Sequence, residues 1–151
     1  MLDDTDRWIL RHYQHDPGLA NADLAARAGL TPATCARRLE RLRADGILRG
    51  VRAVIDWRAL GYEVEVSLRV SLEKSDPRAF DEFLEAARQV PEVIEIQTFL
   101  GRVDLRLAVV ARDMGHYQQI YRSAILGLPH IADVEALMHV AQIKTQEVLP
   151  L

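Results

Sequence analysis

A single cysteine, Cys35, stands among the 151 residues. One thiol closes no intramolecular disulfide and forms no Cys-x-x-Cys pair, which agrees with a reducing, cytoplasmic setting. Aromatic residues are sparse, at 6%. No apolar run approaches the roughly 20 residues needed to cross a bilayer, so no membrane association is expected. The start, MLDDTDRW, is acidic and lacks a basic stretch followed by an apolar core, so no secretion signal is expected either. The five histidines (12, 15, 116, 130 and 139) are scattered, with no carboxylate or thiol at ligand spacing around His12 and His15. There is no glycine-rich phosphate cradle and no nucleophile motif. An enzyme, a metal site and a cofactor are therefore not expected.

What is present is a 49% hydrophobic chain, enough for one good core or two small ones. Its net charge is −3, but the distribution is uneven. Residues 31–52 hold six arginines against Glu40 and Asp45, a net charge of +4. Residues 57–151 hold ten Lys and Arg against fourteen Asp and Glu, a net charge of −4. A basic patch on an acidic protein is the electrostatic footprint of a localised DNA contact.

That patch coincides with LANADLAARAGLTPATCARRLERLRADGI, residues 19–47. It reads as two short helices joined by a turn. Asn21 suits the N-cap of the first, with Leu24, Ala25 and Ala28 as its apolar face. Gly29 follows, where a left-handed backbone is cheap only for glycine. Thr31 is a natural N-cap and Pro32 sits at the first helical position, where a missing N–H costs nothing. The second helix is expected to end at Ala44 or Asp45, before Gly46. Cys35, Leu39 and Leu42 form its buried stripe, which makes Cys35 a packing residue. At about 100° per residue, Ala33, Thr34, Arg37 and Arg41 fall on the opposite side, with Arg38 on the flank. Small residues followed by arginines suit a helix entering a major groove by its N-terminal end. Arginine bridges guanine O6 and N7 or clamps phosphate. The candidate DNA contacts are thus Thr31, Ala33, Thr34, Arg37, Arg38 and Arg41. The competing reading is an ordinary solvated helix face.

Around this unit, residues 2–14 read as a first helix capped by Asp3 or Asp4, with Leu2, Thr5, Ile9, Leu10 and Tyr13 inward. Residues 47–56 read as a short strand, whose Arg49 and Arg52 either reach phosphate or solubilise an edge. Residues 57–61 form a brief hinge. From Glu63 the hydrophobic period changes to two: Val64, Val66, Leu68, Val70 and Leu72 face one way. Asp76-Pro77 is expected to start a helix with Phe80, Phe83, Leu84, Ala87 and Val90 inward. Strands follow over 93–100 and 104–110, then a helix capped by Asp113, then a strand over 131–140. The apolar tail Val148-Leu149-Pro150-Leu151 is expected to dock. The resulting β-α-β-β-α-β order is the split-βαβ, ferredoxin-like pattern, with a sheet face left open for a second copy. The fold class is therefore α+β: a helix-turn-helix, winged-helix-like domain over 1–50, a linker strand and hinge over 51–61, and a ferredoxin-like domain over 62–151.

The run Leu2-Asp3-Asp4-Thr5-Asp6-Arg7-Trp8-Ile9-Leu10 joins Asp23-Leu24-Ala25, the stretch from Gly29 to Leu39, Gly46-Ile47-Leu48-Arg49-Gly50, Leu60-Gly61 and Pro91-Glu92-Val93. Over nearly its full length the chain resembles the Lrp/AsnC family of transcription regulators. The Cys-x-Arg-Arg run at 35–38 is the most specific feature. The resemblance implies an N-terminal DNA-reading domain and a C-terminal amino-acid-sensing domain of the RAM/ACT-like type. It also implies homodimers that assemble further, often to octamers, with Arg52–Ile55 as the linker strand pairing with its counterpart. Effectors bind between dimers near the loop joining the second and third sheet strands. The family's loop resembles Thr-Gly-Asp-Tyr-Asp; here it is Leu100-Gly101-Arg102-Val103-Asp104, so only Gly101 and Asp104 match. Gly101 offers a close backbone approach. Asp104 either holds an ammonium group or orders the loop. Arg102 either pairs a ligand carboxylate or is solvated. The expected function is sequence-specific, amino-acid-modulated regulation through double-stranded DNA. The alternative is an architectural protein that wraps DNA with little sequence preference.

Overall fold

The computed structural model describes residues 2–144 and 148–151. They form two compact units. One comprises the chain up to Val54 together with the C-terminal segment from Lys144, and the other comprises residues 55–143.

The first unit holds three helices: α1 (Asp4–His15), α2 (Asn21–Arg27) and α3 (Pro32–Ala44). Asp3 caps α1 through a reciprocal box, its carboxylate accepting from Asp6 N–H at 2.8 Å while Asp6 accepts from Asp3 N–H at 3.2 Å. The turn between α2 and α3 is a Schellman motif: Gly29 N–H donates to Ala26 and Leu30 N–H to Ala25, with Gly29 at φ +65°. Gly46, at φ +70°, closes α3 the same way, its N–H donating to Arg43 and that of Ile47 to Leu42. Ile9, Leu24, Ala25, Cys35 and Leu39 form the small core, so all three helices contribute to it.

Three expectations for this unit are corrected. Asn21 does not cap α2; its amide instead donates across the turn to the Pro32 carbonyl at 2.8 Å. Residues 47–56 form no strand, because among the described residues none supplies the partner backbone that a ladder needs. Val51, Val54 and Ile55 are accordingly exposed. The apolar tail, continuous in sequence with the ferredoxin-like domain, does not belong to it: Leu149 and Leu151 dock on the first unit. There they line a groove of about 380 Å³ with Leu10, Tyr13, Ile47 and Val51. Gln14 holds the Leu149 backbone from both sides, donating to its carbonyl at 2.8 Å and accepting from its N–H at 3.0 Å, and Arg11 donates to the Leu151 carbonyl.

The second unit opens on a 3₁₀ turn at Arg58–Leu60, ended by Gly61 at φ +83°. It then runs β1 (Val64–Leu72), α4 (Ala79–Ala87), β2 (Val93–Thr98), β3 (Leu105–Ala111), α5 (Met114–Ile120) with a wider π-type turn at Tyr121–Ile125, and β4 (Ile131–Met138). The sheet order is β2-β3-β1-β4 with every neighbour antiparallel, the ferredoxin-like arrangement. Leu68 stands opposite Leu107, so the alternating apolar set of β1 meets that of β3 on one face. Phe83, Ala87, Tyr117, Ile120 and Ile125 cover that face. A fully buried side chain such as Phe83 contributes about 1.5–3 kcal/mol by leaving water. Asp76 does not start α4. It accepts from Arg78 N–H at 2.8 Å and so caps a preceding turn; the helix begins at Ala79 and leaves Phe80 40% exposed. Asp113 does cap α5, accepting from His116 N–H at 2.7 Å.

Candidate nucleic-acid interface

Helix α3 presents its candidates in two distinct settings. At its N-terminus the Thr31 hydroxyl accepts from Thr34 N–H at 3.2 Å and donates to the Thr34 hydroxyl at 2.9 Å, with Pro32 in the first turn. Thr31 and Ala33 are exposed and Thr34 is half-buried. This end therefore offers the Ala33 N–H, a hydroxyl pair and little bulk. Arg37 is exposed and, among the described residues, makes no ion pair. Cys35 lies fully buried on the reverse side, where burial pushes its thiol pKa up.

Arg38 and Arg41 are held differently. Asp6 of α1 is fully buried, and its two carboxylate oxygens accept from Arg38 at 2.8 Å and from Arg41. Arg38 also reaches Asp3 at 2.7 Å. The Arg38 guanidinium, followed by the Asp6 N–H, holds the Asp3 carboxyl at about 2, well below its ordinary 3.8. The hydrogen bonds that Arg38 donates to Asp3 and then to Asp6 raise its own pKa in turn. The helical wheel puts Arg41 on the outer side with Arg37 and only Arg38 on the flank, yet the carboxylate rising from α1 takes both Arg38 and Arg41. Asp6 was not singled out in the sequence. The only sign of it there was an Asp-x-x-Asp pair ahead of an arginine-rich helix.

In the second unit the turn between β2 and β3 carries the other candidates. Leu100 is fully exposed, and Gly101 and Arg102 are exposed beside it. The Arg102 carbonyl accepts from the Ser71 hydroxyl at 2.9 Å, and the residue is exposed. Asp104 is mostly buried, with both oxygens engaged. One accepts from Leu72 N–H at 2.9 Å and the other lies 3.4 Å from Lys74. Its backbone also bridges β1 and the turn, donating to Val70 and accepting from Phe99.

The helix-free face of this sheet bears a connected polar chain. Arg106 reaches Glu95 at 2.6 Å, Gln97 at 3.0 Å and Ser67 at 3.2 Å. Ser67 meets His139 at 2.9 Å, and His139 meets Glu65 at 3.2 Å. The groups satisfy one another, so the face combines charge with internal pairing. No group of His, Cys, Asp and Glu among the described residues is arranged to hold a metal ion. No described helix is long and apolar enough to cross a membrane.

A family model described as the Lrp/AsnC ligand binding domain matches residues 65–149, and a winged helix-turn-helix DNA-binding model matches residues 2–49. The transcriptional regulator AzlB of Bacillus subtilis (strain 168) is 33% identical over 135 residues, covering 89% of this chain and 86% of the relative. The leucine-responsive regulatory protein of Escherichia coli (strain K12) is 29% identical over 143 residues, covering 95% and 87%. Among solved structures, an AsnC family transcriptional regulator from Agrobacterium tumefaciens superposes with a TM-score of 0.90 at 34% identity, covering 99% of this chain and 97% of that one. A transcriptional regulator of Neisseria meningitidis, solved with L-methionine, does so with a TM-score of 0.92 at 29% identity and the same coverage. These relatives are all named as transcriptional regulators or regulatory proteins. With a ligand-binding model over most of its sheet-bearing half and a DNA-binding model over its three helices, the chain belongs to the Lrp/AsnC family of DNA-binding transcriptional regulators.

Proposed function

We propose that this regulator reads its operator through the N-terminal half of α3, with Thr31, Ala33, Thr34 and Arg37 toward the base edges. The observation that carries this reading is the division among the helix arginines. Arg37 is outward and unpaired among the described residues, while Arg38 and Arg41 are bound to α1 carboxylates. A homodimer would present two such helices about one helical turn apart at a pseudo-palindromic site. The open sheet face and the exposed Val51, Val54 and Ile55 are the surfaces available for pairing. Assembly to an octamer is the fuller form, and the cytoplasm is the working compartment.

The effector in this reading is an apolar amino acid bound at the turn between β2 and β3. Leucine, in one relative's name, and methionine, present in another's solved complex, are both of that class. Arg102 supplies a cation for the carboxylate, and Phe99 and Leu100 supply exposed apolar surface. Asp104 serves as the brace of the turn, since its oxygens already hold Leu72 and Lys74. An effector changes DNA binding only as far as it binds one assembly state better than another.

The test is selection of bound duplexes from a random pool, with each amino acid present in turn and the protein's mass in solution measured alongside. Arg37→Ala is expected to cost about 1–3 kcal/mol at the selected site. Equal binding of wild type and variant would remove Arg37 from the reading face. Steep salt dependence with no preference among duplexes would support DNA wrapping instead.

A further inference from the structure

We infer that Asp6 is a positioning residue that raises sequence selectivity by keeping Arg38 and Arg41 off the DNA backbone. This inference rests on the DNA-reading role of α3 and adds a control on it. Asp6 is fully buried, yet it belongs to α1, which carries none of the candidate contacts. Its oxygens face α3 and take one arginine each. With Asp3, the cluster holds two carboxylates and two guanidiniums, so its charges cancel. Half of the net +4 carried by residues 31–52 is thereby neutralised within the protein.

Phosphate contacts add affinity without sequence information and release counterions as they form. Base-edge contacts carry the information. An arginine on the flank of a groove-binding helix would ordinarily take phosphate. Arg41 is the more telling of the two, because its side chain is 49% exposed and lies next to the reading face. Its charged partner among the described residues is Asp6. Arg38 is more enclosed, at 23%, and is shared with Asp3. The buried Cys35, Leu39 and Leu42 stripe sets which side of α3 faces outward, and the two contacts draw Arg38 and Arg41 toward α1 while Arg37 stays exposed. The carboxylate thus subtracts non-specific affinity and leaves the specific contact in place.

The experiment compares a duplex selected by this protein from a random pool with a duplex of scrambled sequence. Affinity is read by fluorescence anisotropy across a salt series, using the full chain. For Asp6→Asn the expected result is tighter binding to the scrambled duplex and a smaller ratio between the two duplexes. The plot of log affinity against log salt should steepen by about one for each arginine freed to reach phosphate. Adding Arg41→Gln to Asp6→Asn should return the slope toward the wild-type value, which a merely structural role for Asp6 would not do. Should Asp6→Asn fail to fold, Arg41→Gln alone decides. An unchanged slope supports sequestration, and a slope shallower by about one overturns it. A folded Asp6→Asn with unchanged slope and unchanged ratio also overturns it. Wild-type protein that binds neither duplex would instead remove the DNA-reading role on which the inference stands.

Discussion

Replacing Leu24 by alanine tests how much of the DNA-reading unit depends on its small core. Leu24 is fully buried on the middle helix, among Ile9 of α1 and Cys35 and Leu39 of α3. The substitution removes three carbons, about 2.4 kcal/mol at roughly 0.8 kcal/mol each. The unfilled space adds to this, so a loss of about 3–4 kcal/mol is expected. A unit of roughly sixty residues has a total stability of about 3–9 kcal/mol. The variant should therefore lose about a third or more of the unit's stability, loosening the hold on α3. Peptide-resolved hydrogen exchange reads this directly. Residues 32–44 should lose most of their protection, while 64–72 and 105–111, which belong to the separate sheet core, should keep theirs. Protection lost equally in both sets would refute the division into two units. Protection retained throughout would refute the packing account of Leu24.

Three further outcomes follow from single groups. Asp3 has its carboxyl pKa held at about 2 when folded against an ordinary 3.8, so its contribution is complete above about pH 4 and is lost as pH falls toward 2. Acid unfolding of the N-terminal unit should show that dependence, and Asp3→Asn should flatten it. Cys35 is buried with its thiol pKa pushed up, so a thiol reagent at mildly alkaline pH should label it only in denaturant. Prompt labelling of native protein would contradict that placement. Gly29→Ala meets no atom within 4 Å but keeps φ at +65°, so urea unfolding should show a loss of about 1–2 kcal/mol from backbone strain alone.

Short-range chemistry made much of this fold legible in the sequence. Gly29, Thr31 and Pro32 write the turn and the start of α3 within four residues, and the Cys35, Leu39, Leu42 stripe gives the helix its buried side. The period-two run of β1 and the stop at Pro91 were enough to order the βαββαβ half. Contacts set by tertiary approach were not legible. Arg41 and Asp6 are separated by 35 positions, and nothing local says that α1 brings a carboxylate beneath that flank. Asp76 and Asn21 were misread because a short polar side chain serves a turn or a distant carbonyl as readily as a helix end. The stretch 47–56 has the composition of a strand, but composition does not supply a partner.

The docking of Leu149 and Leu151 on α1 has a consequence for synthesis. Those contacts span 135 and 140 positions, so the sheet-bearing half is threaded between the parts of the unit that reads DNA. A ribosome delivers α1 to α3 first and their clasp last. While the chain is still growing, the groove beside Leu10 and Tyr13 lacks the wall that Leu149 and Leu151 give it, and the regulator completes its DNA-reading unit only after its sensing unit has been made.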